Sequence, residues 1–267
     1  MRRAGSASRV FALVLRHYYL YRSSWTRVVE LVYWPAMELL LWGFLTLYLR
    51  DLGPGLPNVV ALFLGALILW DILFRAQIGV SLAFLEEVWS RNLANLFVSP
   101  LTPLEFMVGQ VIVGLIRTVV TATFMTALAL GLYHYNLFGM GLPLIAFFCN
   151  LLVMGWAIGL VVSALILRFG QGAESLAWAV IFLFQPVAAV FYPVSVLPPW
   201  LRPIALATPA AHVFEGMRIV MLENRFDARL FWNAVGLNAL YLAAGMAVFL
   251  WMFRVARRRG LLVQVGE

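Results

Sequence analysis

Four ionisable side chains, Glu38, Asp71, Arg75 and Arg117, stand inside stretches that are otherwise apolar. Their formal charges cancel. Asp71 and Arg75 are one helical turn apart with the acid first, the order that favours an ion pair, which leaves Glu38 to pair with Arg117 across helices. A charge at the centre of a bilayer costs upward of about 2.5 kcal/mol, so these groups must face protein or a wet cavity. Two roles are open to them: a network of ion pairs that fixes helix register, or the lining of a path that meets a polar group of a cargo. Other chemistry finds little support. The chain has no lysine, so it can form neither a G-x-x-x-x-G-K-[ST] phosphate loop nor a lysine Schiff base. His17, His134 and His212 are far apart, with no H-E-x-x-H and no Cys/His cluster, and no G-x-S-x-G occurs. No metal site, bound cofactor, catalytic residue or nucleic-acid partner is expected.

The elements that must position such charges are membrane helices. Of 267 residues, 64% are hydrophobic and 12% charged, and the mean hydropathy is +0.93, too little polar surface for a soluble globule. The expectation is one all-α domain over residues 1–267: an N-terminal segment (1–27), a six-span bundle (28–253) and a tail (254–267). The single cysteine, Cys149, excludes an intrachain disulfide.

In order, residues 7–24 are amphipathic, with Phe11, Val14, Leu15 and Tyr18 on one face and Arg9, Arg16 and His17 on the other. This predicts an interfacial helix whose arginines meet anionic headgroups. Spans follow at about 28–49, 59–85, 104–132, 142–167, from 175 onward, and 230–253. Gln185-Pro186 should kink the fifth. Gly155, Gly159 and Ser163 form a small-residue stripe of the kind that marks helix packing. Residues 192–227 are apolar but broken by Pro193, Pro198, Pro199, Pro203 and Pro209, which predicts re-entrant short helices, one of them starting at Thr208-Pro209 with Glu215 and Arg218 paired a turn apart. Arginines near span ends favour both termini in the cytoplasm.

Between the second and third spans lies the most polar passage, Glu86 to Glu105. Wound as a helix, it places Trp89, Leu93, Leu96 and Phe97 on one stripe and Glu87, Ser90, Arg91 and Asn95 on the other, a short helix lying flat that Pro100 and Pro103 terminate. Such a helix is either a plain connector or a docking element. Its acidic pair, amphipathic helix, Ser99-Pro100-Leu101-Thr102-Pro103, Glu105 and Gly109 resemble the permease subunits of ABC exporters of the ABC-2 type. The stretch from Phe191 to Ala205, then Thr208-Pro209 and Glu215-Gly216-Met217-Arg218, resembles the segment before their last span. Members commonly carry E-R-E-x-G-T before the docking helix, whereas here the acids and the arginine stand at altered spacing.

The resemblance implies a multi-pass permease of the plasma (inner) membrane, paired with a second permease as a homodimer or pseudo-dimer and with two copies of a cytoplasmic ATPase that binds the ATP and Mg. It implies a coupling helix in which Glu86, Glu87, Trp89, Arg91, Asn92, Leu93 and Phe97 meet that ATPase, and export of a drug, lipid or lipid-linked glycan among membrane lipids. Phe191, Tyr192, Pro193 and Trp200 are the expected outer gate. Two other classes stay open: an ion-coupled carrier or channel using Asp71 or Glu38, and an intramembrane lipid-modifying enzyme, for which no reactive cluster is found.

Overall fold

The computed structural model describes residues 5–52, 59–90, 92 and 100–259. Among these the chain forms α1 (Ser6–Arg22), α2 (Trp25–Leu52), α3 (Val59–Trp89), α4 (Pro103–Tyr133), α5 (Leu142–Phe169), α6 (Glu174–Val187), α7 (Arg202–Leu206), α8 (Pro209–Glu223) and α9 (Ala228–Arg258). The described residues contain no strand. Five helices, α2, α3, α4, α5 and α9, are long and apolar enough to cross a membrane.

The core is built on glycines of α5. A Cβ at Gly155 would run into Ala76 and the Leu73 carbonyl of α3, and one at Gly159 into Val80 and the Gln77 carbonyl. Backbones therefore approach closely along the small-residue stripe. On the other side of α5, Gly245 of α9 lies against the Ala157 carbonyl, and Asn238 donates to Asn150 Oδ1 at 2.8 Å. Thus α5 is held between α3 and α9.

α3 and α4 have 31 residues each. At 1.5 Å per residue they reach about 46 Å, well beyond a hydrocarbon core of about 30 Å. α1 packs beside the overhanging turns of α4 in the same direction: Arg9 meets Glu105, Leu13 seats on Gly109, and Tyr21 reaches Arg117. The chain breaks at Ser23-Ser24, and α2 continues along α4, where Thr121 donates to the Leu31 carbonyl and Tyr133 to the carbonyls of Leu39 and Leu40. The expected orientation of α1 is thereby corrected. Its Arg9 and Arg16 face the protein because Glu105 and Glu87 offer them carboxylates, and His17 is buried with its Nδ1 on the Leu13 carbonyl, while Phe11, Leu15, Tyr18 and Tyr19 point outward.

The segment expected as the fifth span is different in length from the other five. α6 has 14 residues, about 21 Å, and ends one residue after Pro186. Ala189 then takes a left-handed conformation at φ +51, which L-residues adopt at a cost of about 1–2 kcal/mol. The proline and this turn stop the helix before it reaches span length. Beyond it, Thr208 caps α8 at the Ala211 amide with Pro209 in its first turn, as the sequence suggests. At the other boundary Thr102 and Glu105 form a reciprocal capping box that starts α4 at Pro103.

Candidate functional site: a charged groove, a strapped helix and an aromatic plug

A groove of about 920 Å³ opens between α2, α3, α4 and α6. Its charged residues fall into two groups. At one end Arg27 pairs with Glu86 at 3.7 Å, and Arg117 lies over the Tyr21 ring at 5.4 Å, with Glu30 on the same wall. Burial pushes the Tyr21 phenol above its ordinary pKa, and Arg117 pulls the other way. Deeper in, Arg75 Nε donates to Asp71 Oδ2 at 2.8 Å, the pair foreseen from their spacing. Glu38 lies within electrostatic reach of both. The expected pair of Glu38 with Arg117 does not form. Arg117 sits at the level of Tyr21 and Arg27, while Glu38 faces Asp71 and Arg75, so the two groups belong to different ends of the groove. Aromatic rings complete the deep end, with Phe74 centred 5.6 Å from Phe182 and 6.5 Å from Trp178.

At the expected docking segment, Glu86, Glu87, Trp89 and Asn92 are placed, whereas Arg91, Leu93 and Phe97 lie outside the described residues. Glu87 turns inward and is 2% exposed. Arg16 Nη1 holds its Oε1 at 2.5 Å, and Asn92 Nδ2 donates to Oε2 at 2.8 Å. Trp89 faces outward, and Glu86 is half-buried. A second strap joins Arg9 to Glu105 at 2.5 Å and 3.0 Å, a two-point contact that raises the Arg9 pKa. Sequence reasoning missed both straps. The signal was present in Arg9 and Arg16, seven residues and two helical turns apart on the polar face of α1.

Of the expected outer-gate residues, Phe191 stacks on Phe63 at 4.8 Å and on Trp42 at 5.7 Å. Tyr192 donates its hydroxyl to the Pro186 carbonyl at 2.7 Å, and Pro193 borders a cavity of about 390 Å³ beside Glu215 and Arg218. Trp200 stands apart, 71% exposed. The backbone carrying Phe191 is clipped on both sides: Val194 N–H donates to Glu215 Oε1 at 2.6 Å, and Arg218 Nη1 donates to the Val190 carbonyl at 3.2 Å. Trp42 and Phe63, which receive Phe191, were not singled out from sequence, because an aromatic within an apolar span carries no mark of its partner.

Five long apolar helices, three of which line a groove that carries charges and aromatic rings, define a multi-pass membrane protein. The family model described as ABC-2 family transporter protein matches residues 49–255, and the chain belongs to that family. It is thus a membrane-spanning transporter protein. No curated protein matches the chain significantly.

Proposed function

We propose that the chain is the permease subunit of an ATP-driven exporter, two copies of which pair with two copies of a separate cytoplasmic ATPase. The groove carries this reading: a charged and aromatic cavity of about 920 Å³ between α2, α3, α4 and α6 suits one wall of a path completed by a second copy. ATP and Mg belong to the ATPase, since a chain without lysine cannot supply the phosphate-loop lysine. The cargo is hydrophobic or amphipathic, of the drug, lipid or lipid-linked glycan kind. α6 and the turn through Phe191 make the remaining crossing, followed by the re-entrant α7 and α8. Both termini lie in the cytoplasm at the plasma (inner) membrane, with the apolar face of α1 against lipid.

Docking falls to residues 86–105. Trp89 is turned outward enough to meet the ATPase, Glu86 and Asn92 are expected to join it along with Arg91, Leu93 and Phe97, which lie outside the described residues, and Glu87 holds the segment to α1. The test is purification of the tagged chain from its own membranes in mild detergent. A phosphate-loop ATPase should accompany it in equal amount, and Glu86→Arg with Trp89→Ala should lower the ATP hydrolysis that this chain stimulates. A chain that purifies without an ATPase, and whose transport survives ATP depletion but collapses with the proton gradient, would instead be an ion-coupled carrier using Asp71 or Glu38.

A further inference from the structure

We propose that the deep end of the groove is a binding site for organic cations with an apolar body. The inference deepens the permease reading by naming the class of cargo, and it rests on that reading only for the direction of movement. Its basis is an imbalance of charge. At the mouth, Arg27 and Arg117 stand against Glu30 and Glu86, two charges of each sign. The deep group has two carboxylates, Glu38 and Asp71, and one guanidinium, Arg75, whose Nε is already committed to Asp71. Glu38 makes no hydrogen bond or ion pair among the described residues and faces the groove. One guanidinium balances only one of these two carboxylates, so at membrane depth the other needs a bound proton or a cation to offset its charge. A cation entering the groove neutralises it.

The surroundings choose among cations. Small metal ions need several oxygen ligands, and the described residues hold no group of three His, Cys, Asp or Glu side chains able to bind one. The deep end offers ring faces instead: Trp34 one turn before Glu38, and Phe74 packed with Trp178 and Phe182. Ring faces attract cations and also bury apolar surface. A volume of about 920 Å³ holds a drug-sized molecule. An anion fits less well. The one arginine of the groove without a carboxylate partner among the described residues is Arg117, which lies over Tyr21 at the mouth, where Glu30 and Glu86 repel negative charge.

The experiment uses the purified full chain in nanodiscs without ATP or ATPase, titrated with tetraphenylphosphonium and, separately, with tetraphenylborate, an anion of the same shape. Tryptophan fluorescence should report saturable binding of the cation and none of the anion. Glu38→Gln should weaken cation binding about tenfold or more, and Glu38→Asp should recover most of it. Saturable tetraphenylborate binding of equal strength, or a Glu38→Gln protein that binds the cation unchanged, overturns the proposal. Should Glu38→Gln not fold, protection decides: tetraphenylphosphonium must slow maleimide labelling of Met37→Cys in a Cys149→Ser background, and no slowing rejects the site. A chain that binds no cation yet supports ATP-driven export of another cargo loses this inference and keeps the permease reading.

Discussion

The end of the molecule that carries α1 and the end that carries Phe191 are closed by different forces. At the α1 end, Arg16 on Glu87 and Arg9 on Glu105 join three helices through charged groups with fixed geometry. At the Phe191 end, closure rests on stacked rings from three elements and on a turn clipped by Glu215 and Arg218 through backbone groups. Guanidinium-carboxylate pairs are directional and lose most of their value when displaced, whereas stacked rings tolerate sliding. On the permease reading, the contrast suits the first end to transmit a push and the second to part under it.

Reversing a charge at the strapped end should have the largest effect. Arg16→Glu places two carboxylates together at a site where Glu87 is buried, and should cost about 3 kcal/mol in unfolding of the detergent-solubilised protein. Adding Glu87→Arg should recover at least half of the loss; no recovery would show that the two side chains do not act as a pair. At the opposite end, Phe191→Ala removes a half-buried ring and should cost about 2 kcal/mol. It should also let an impermeant dye leak from proteoliposomes in the absence of ATP, which Arg16→Glu should not. Tight vesicles with Phe191→Ala would mean that the stacked rings seal nothing.

The frame between the two ends gives a smaller and more uniform effect. Gly159→Ala brings a methyl group against Val80 and the Gln77 carbonyl and should cost about 1–2 kcal/mol without a leak. The smallest effect belongs to Trp200→Ala. With 71% of its surface exposed and no part in the ring stack, its loss should shift stability by less than about 0.5 kcal/mol and leave the vesicles tight. A leak from this variant would move the seal from Phe191 toward the loop before α7.

These differences also mark what could be read from the chain. Asp71 and Arg75 were legible because an ion pair within one helix depends only on spacing, and the Thr208-Pro209 start of α8 because a cap is a local device. The surroundings of Glu38 were not, since contact between helices depends on how deep each residue lies, and depth is set by packing. The same holds for α1, where periodicity placed the arginines on one face but could not say whether that face meets headgroups or Glu87 and Glu105. The fifth span was misjudged in length because apolar composition runs on past Pro186, while the backbone turns at Ala189.

The permease reading requires one path to join the groove to the cavity beside Phe191 and to open at either end in turn under the control of ATP. Labelling rates measure it without knowledge of the cargo. In a Cys149→Ser background, Trp178→Cys reports the groove and Ile219→Cys the outer cavity, in complexes with the ATPase held in nanodiscs. ATP with vanadate should slow maleimide attack at Trp178→Cys and speed it at Ile219→Cys, each by about tenfold. Rates that stay the same at both positions, in complexes that hydrolyse ATP normally, would contradict the account.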